Sequence, residues 1–293
     1  MEEYRQMTMF LQVTIDGLLA GMLYAVVAAG LTLMWGVMDV INFAHGDFLM
    51  AAMYVSYWLG FLYKADPLVS WVASAVFLFL MGVVTYKVII SPCIGGKSPM
   101  AALLATFGLS MFLKSFCLNR FSPNFRLLSG TLMDGRKLEF GGIIVPIPQL
   151  VTGLFSLAVI LVLWYILNRS RTGWAIQATA MDREASELMG INTEWIYVLV
   201  FGIGGACLGV SGGLLPSYLA VHPNMGTLFG LIAFVIVALG GFGSIFGTLL
   251  AALMMGLVEA FAGFYIAPVF KYVAVFAVYL VVIMVRPKGL FGW

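Results

Sequence analysis

Residues 9–35 read MFLQVTIDGLLAGMLYAVVAAGLTLMW, and residues 36–48, which follow directly, read GVMDVINFAHGDF. The first stretch exceeds the about 20 apolar residues that cross a hydrocarbon core roughly 30 Å thick. It is too long for a signal peptide and lacks the small-residue cleavage site, so it reads as a retained membrane helix. The second stretch sets Asp39, Asn42, His45 and Asp47 between that helix and another strongly apolar run. Polar and ionisable side chains at such a place are unfavourable unless they face a partner or a pathway.

Both flanks extend the pattern. Further apolar runs cover 48–63, 67–90, 100–118, 143–167, 195–215, 227–239, 245–262 and 265–285, several of them short and carrying glycine. Overall, 62% of the 293 residues are hydrophobic and 10% charged, with a mean hydropathy of +1.05. A soluble domain has about 45–50% apolar and about 25% charged residues, so this chain belongs in lipid. Backbone in lipid must satisfy its own hydrogen bonds, which makes the runs helices and confines irregular stretches to protein-lined places. The expected fold is all-α: one polytopic transmembrane domain over 1–293, with about eight to ten spans, some broken or re-entrant.

Orientation follows the basic residues in short loops. The segment 169–194 holds Arg169, Arg171 and Arg183, and the C-terminal end holds Arg286 and Lys288, so both are placed in the cytoplasm with four spans between them. Counting back puts the loop 119–142 outside, in the periplasm, although it carries Arg120, Arg126, Arg136 and Lys137. The side of the N-terminus depends on whether 36–46 breaks one helix or separates two. Within the outer loop Asp134-Gly135 is a turn signal, compatible with a small hairpin or with an irregular loop.

Glycines four apart (Gly17 and Gly21; Gly205, Gly209 and Gly213; Gly243 and Gly247) each read as one helix face that lets another backbone approach. The stretch SPCIGGKS, 91–98, misses a phosphate loop at its first position. No strand precedes it and prolines flank it, so it reads as a turn between spans, and any ATP is used by another chain. Cys93, Cys117 and Cys207 are odd in number and scattered, which gives neither disulfides nor a metal site. A net charge of +2 without a basic stripe argues against nucleic acid. Only His45 and His222 are present, neither in a catalytic motif, so no cofactor, metal or enzyme activity is expected.

A second interruption, ALGGFGSIFG at 238–247, mirrors the first near the other end of the chain. Paired interrupted segments in two halves of a transporter point to its central pathway. Candidate pathway residues are therefore Asp39, Asn42, His45 and Asp47 with Gly240, Gly241, Gly243 and Ser244. Capping of the following helix by Asn42 or Asp47 is compatible with that role. Asp16 and Glu259 also lie in apolar runs and are expected to pair across helix interfaces with a Ser, a Thr or Lys114.

The cytoplasmic segment RTGWAIQATAMDREASELMGINTE, 171–194, reads as one or two short helices outside the membrane, ending at a Gly190 cap. Ala185, Leu188 and Met189 fall on one face, which should bury against a partner groove or against the chain's own helix ends.

Glu184-Ala185-Ser186, three residues and Gly190 resemble the EAA-xxx-G motif by which ABC import permeases dock on their ATPases, without its usual Ile-x-Leu-Pro continuation. The stretches GLTLMWGVMDVINFAHGDF, RTGWAIQATAMDREASELMGI, FVIVALGGFGSIFGTLLAALMMGLVEA and RPKGLFG each resemble the LIV-type branched-chain amino acid ABC transporter permease family, which is related to the ribose permeases. The likeness covers essentially the whole chain. It implies a multi-pass protein of the bacterial inner membrane, paired with a related second permease subunit, two cytoplasmic ABC ATPase subunits and a periplasmic solute-binding protein. It further implies coupling to the ATPases through Asp182, Glu184, Ala185, Leu188, Met189 and Gly190. Where such permeases often carry a basic residue, this chain has Leu231-Ile232, which leaves urea, amides and aromatic acids beside branched-chain amino acids as solutes. An autonomous proton-coupled transporter or channel, using Asp16, Asp47 or Glu259, is the competing expectation.

Overall fold

The computed structural model describes residues 2–94, 99–286 and 289–290. Gly95–Ser98 of the glycine-rich turn, Lys288 and most of the RPKGLFG stretch lie outside the described residues. Among the described residues twelve α-helices follow one another: α1 (Glu2–Met38), α2 (His45–Tyr63), α3 (Pro67–Thr85), α4 (Ser91–Ile94), α5 (Pro99–Phe121), α6 (Ile147–Arg169), α7 (Arg171–Met181), α8 (Arg183–Leu188), α9 (Thr193–Leu214), α10 (Met225–Gly240), α11 (Ile245–Tyr265) and α12 (Lys271–Val285). A π turn, Tyr86–Ile90, joins α3 to α4. Among the described residues, seven helices are long and apolar enough to cross a membrane: α1, the α3–α4 unit, α5, α6, α9, α11 and α12. The expected all-α polytopic fold is what forms.

α1 is the axis of the bundle. Leu23–Met34 is buried at every position, as an apolar-all-round helix must be, and α6, α9, α10 and α11 pack around it. Glycine faces explain one of those contacts, with α11, and the contact of α9 with α3. A Cβ at Gly21 would lie 2.8 Å from Leu253 Cα of α11, and one at Gly213 would lie 2.6 Å from Trp71 Cα of α3. Gly17–Gly21 and Gly205–Gly209–Gly213 are therefore the packing faces their spacing predicts. Gly243 and Gly247 are not a third such face. Gly243 sits at φ +82° in the turn before α11, where that backbone angle requires glycine, while Gly247 closes on Gly240 across the turn.

Caps fix the helix starts. Asp66 accepts from Leu68 N–H at 2.9 Å with Pro67 opening α3, and Asn192 accepts from Trp195 N–H at 3.0 Å to open α9.

The stretch between α5 and α6 contains a hairpin, β1 (Lys137–Phe140) antiparallel to β2 (Ile143–Pro146), with Phe140 opposite Ile143. Its two-residue turn is Gly141-Gly142, at φ +58° and +86°, the all-positive turn that matches strand twist. Asp134-Gly135 makes a separate turn, with Arg136 N–H donating to Met133 O at 3.2 Å. The N-terminus lies on this hairpin side: Tyr4 Oη donates to Gly141 O at 3.2 Å, and Gln12 exchanges bonds of 2.9 and 2.8 Å with the Ile144 backbone. The segment 39–44 thus separates two helices.

Candidate functional site

α1 ends where Asp39 takes a left-handed φ of +52° and donates its N–H to Trp35 O at 2.9 Å. The chain then doubles back inside the bundle. His45, the first residue of α2, is fully buried, and its Nε2 lies 2.8 Å from Val27 O, in the second half of α1. Val27 precedes the end of α1 by eleven residues, roughly 16 Å of helix. α2 therefore starts deep in the bundle and rises to the hairpin side.

Asn42 and Thr106 hold the returning strand. Asn42 is fully buried, and its Oδ1 accepts from Ala44 N–H at 3.1 Å. Ala44, not Asn42 or Asp47, occupies the N-cap position of α2, and it has no side-chain bond there. The Thr106 hydroxyl of α5 accepts from Phe43 N–H at 3.2 Å and lies 3.2 Å from Ile41 O. Asp47 is 2% exposed, receives the Ser110 hydroxyl at 2.5 Å and lies 3.9 Å from Lys114 Nζ. His45 Nδ1 and Asp47 Oδ1 are buried without a hydrogen-bond partner among the described residues.

The other wall is the start of α10. Gly46 abuts Gly226 and Gly230, and a Cβ at Gly226 would stand 2.7 Å from both Asp47 Oδ1 and Gly46 O. Two helix N-termini, those of α2 and α10, therefore meet at one depth, and their unpaired N–H dipoles make a partly positive surface there. α10 is short, 16 residues, and is reached from the hairpin side, since Val221 bridges to Arg126 in the outer loop.

Of the candidate residues, the structure gathers Asn42, His45 and Asp47. Asp39 is exposed at the far end of α1. Gly240, Gly241, Gly243 and Ser244 form a tight turn between α10 and α11, with Ser244 Oγ capping Gly247 N–H at 3.1 Å. That turn packs on Gly36, nine residues or roughly 14 Å along α1 from Val27. The interruption opposing the first one is instead 221–226. Thr106, Ser110 and Lys114, which sequence reading did not bring to the cluster, recur every four residues on the apolar α5. That polar stripe was the available signal.

The other carboxylates within the apolar helices pair as follows. Glu259 receives the Tyr24 hydroxyl at 2.7 Å and lies 3.1 Å from Lys271 Nζ, and Asp16 receives Gln12 Nε2 at 3.1 Å. Neither meets Lys114, whose carboxylate is Asp47. Thr32 and Thr248 share a buried bond of 2.7 Å between α1 and α11. Among the described residues, no group of three or more His, Cys, Asp or Glu side chains is arranged to hold a metal.

On the opposite side, α7 and α8 form a hinged platform. Asp182 Oδ1 caps α8 at Ala185 N–H, 3.0 Å, and Gly190 closes it at φ +84°. Glu187 accepts from Thr193 at 2.6 Å and from Arg183 Nε at 2.9 Å. These hydrogen bonds, that from Thr193 foremost, lower the Glu187 pKa below its ordinary value. Leu188 and Met189 are 88% and 82% exposed, and Ala185 and Glu184 are exposed as well. The chain's own helix ends do not cover this face.

Residues 13–285 match the family described as branched-chain amino acid transport system, permease component. BraD, the high-affinity branched-chain amino acid transport system permease protein of Pseudomonas aeruginosa, is 31% identical over 97% of this chain and 96% of its own. LivH of Escherichia coli K12, of the same description, is 32% identical over 98% and 97%. RbsC, the ribose import permease protein of E. coli K12, is 34% identical over 38% of this chain and 36% of its own. A solved structure titled PsaBC from Streptococcus pneumoniae in complex with Fab shares the fold at a TM-score of 0.55 and 14% identity, covering 99% and 98% of the two chains.

Proposed function

The chain belongs to the branched-chain amino acid permease family, and from that membership we infer that it is one membrane subunit of an ATP-driven importer for branched-chain amino acids or a related small solute such as urea, an amide or an aromatic acid. The hairpin side faces the periplasm, where a solute-binding protein docks, and the α7–α8 side faces the cytoplasm of a bacterial inner membrane. A related second permease and two ATPase subunits complete the assembly. The chain performs no bond chemistry; ATP is hydrolysed in its partners.

The observation that carries this reading is the uncovered pair Leu188–Met189 on a helix pinned by its own caps. A short helix that spends its polar groups on rigidity and leaves two large apolar side chains in water is built to enter a groove on another protein. Closure of the ATPases pushes on this platform, and the helices rock about the Asn42–His45–Asp47 depth, where the facing N-termini of α2 and α10 receive the solute.

The test is purification from the native membrane in mild detergent, with mass spectrometry and an ATPase assay. The wild type is expected to bring down a sister permease and ATPase subunits. Leu188→Asp with Met189→Asp is expected to lose the ATPases but keep the sister permease. An ATPase-free wild type that transports on a proton gradient alone would overturn the proposal.

A further inference from the structure

On the flank of the bundle away from α7 and α8, α5 leans on α2 only in part and leaves an apolar cleft of about 390 Å³ between α2, α3 and α5. It runs along α2 from Tyr63 down to Ala51, twelve residues or about 18 Å. That is close to one leaflet of a hydrocarbon core roughly 30 Å thick. Met81, Leu113 and Phe116 are among its walls, and no carboxylate or ammonium lines it.

The side chains with a polar atom along the cleft are Tyr54, Trp58, Tyr63 and Cys117. Tyr54 is 3% exposed, and its hydroxyl has no hydrogen-bond partner among the described residues; nor has the buried Trp58 Nε1. Directly above, at the hairpin-side mouth, the Arg126 guanidinium lies 5.4 Å from the Trp58 ring centroid and 5.7 Å from that of Tyr57. Its Nη2 donates to Phe121 O at 2.6 Å, while its Nε is buried and unpartnered. Among the described residues no carboxylate pairs with it. A guanidinium held rigid by two aromatic rings and lacking a counter-ion is poised for an oxyanion.

We propose that this cleft binds a phospholipid of the hairpin-side leaflet, with one acyl chain between α2, α3 and α5 and the phosphodiester on Arg126. The chemistry matches from end to end. The chain takes the apolar walls, and the phosphate supplies the anion that Arg126 lacks. A free amino acid fits less well, because its ammonium finds no acceptor in the lining. Bound lipid would wedge α5 apart from α3 and so set the position of Ser110 and Lys114 beside Asp47.

The experiment is native mass spectrometry of the full complex from its native membrane, delipidated and then titrated with phosphatidylglycerol. The wild type is expected to retain phospholipid more tightly than Arg126→Gln by about tenfold, with Arg126→Lys in between. Ala51→Phe, which fills the cleft and leaves the charge intact, is expected to remove the tight site. Thermal unfolding of each variant identifies a folding defect, and Arg126→Lys keeps the charge if the Gln variant proves unstable. Equal titrations for wild type, Arg126→Gln and Ala51→Phe would overturn the proposal. Displacement of the lipid by leucine would assign the cleft to the solute, and crosslinking from a photoreactive residue at Phe116 to a protein chain would assign it to a subunit interface; either result overturns it too.

Discussion

The Tyr24 hydroxyl and the Glu259 carboxylate, 235 residues apart in sequence, meet at 2.7 Å inside the bundle. Their bond ties α1 to α11, and Lys271 at 3.1 Å from the second oxygen ties in α12. Truncating one member leaves the others without a partner in apolar surroundings, which costs more than removing the set. Glu259→Ala is expected to lower stability by about 2 kcal/mol, and adding Tyr24→Phe to it should cost little more. Thermal unfolding of the four proteins of this cycle measures the coupling; additive losses would mean that the pair does not act as a unit.

The crossing of α2 and α10 depends on glycine at both contact points. Gly46→Ala and Gly226→Ala each push a methyl into backbone or into Asp47, and a loss of about 2–3 kcal/mol is expected. Gly108, with nothing within 4 Å of its Cβ position, is the control in α5. Alanine there should stabilise by roughly 0.5–1 kcal/mol. Melting midpoints that fall for the first two and rise for the third distinguish tight packing from a general dislike of substitution.

Asp47→Asn keeps an acceptor for Ser110 but removes the charge facing Lys114 and the N-terminus of α10. Transport by the reconstituted complex is expected to drop roughly tenfold, with subunit composition unchanged. Lys114→Met should do the same, since it leaves Asp47 as the uncompensated member. Wild-type uptake by both would remove this cluster from the pathway.

Glu187 gives the platform a pH dependence with a definite sign. Its folded-state pKa is lowered by the bonds from Thr193 and Arg183, so the stability it lends is fully present above the unfolded value of about 4.3. That stability is lost as pH falls through the lower folded value. Amide exchange over 183–190 is expected to be slow at neutral pH and to quicken in acid. Thr193→Val should move that onset upward in pH.

Gly190 ends α8 at φ +84° with no neighbour near its Cβ position, so only backbone strain opposes a side chain there. Gly190→Ala is expected to cost about 1 kcal/mol and to fray the α8 end. A reduced ATPase yield in the pull-down, without loss of the sister permease, is the expected readout.

Much of the fold was legible because lipid imposes one rule on every segment. Each apolar run became helical apart from the start of 143–167, which pairs as β2, and the glycines of α1 and α9 announced packing faces by spacing alone. The site was legible in part. Asn42, His45 and Asp47 stand out because polar groups between apolar runs have few explanations, whereas Ser110 lies 63 residues from Asp47 and only chain folding joins them. The glycine-rich stretch 238–247 forms a turn, marked by the positive φ at Gly241 and Gly243, at a different depth from the Asn42–His45–Asp47 cluster, and loop glycines and pathway glycines look alike in sequence. The opposing break at 221–226, VHPNMG, carries His, Pro, Asn and Gly but no charge, and its place opposite Gly46 comes only from chain folding; the hairpin turn fell on Gly141-Gly142 because strand pairing, not the Asp-Gly signal, set the register.

α1, at 37 residues, is a rod about 55 Å long, nearly twice the roughly 30 Å hydrocarbon thickness. Along that rod Tyr4 and Gln12 hold the hairpin, Tyr24 holds Glu259, Val27 meets His45, and Gly36 abuts the α10–α11 turn. One uninterrupted lever thus joins both faces of the membrane. In the importer proposed above, a tilt imposed at the α10–α11 end would arrive at the hairpin as an amplified sideways sweep, so the surface offered to a solute-binding protein would follow the state of the ATPases without a chain of intermediate joints.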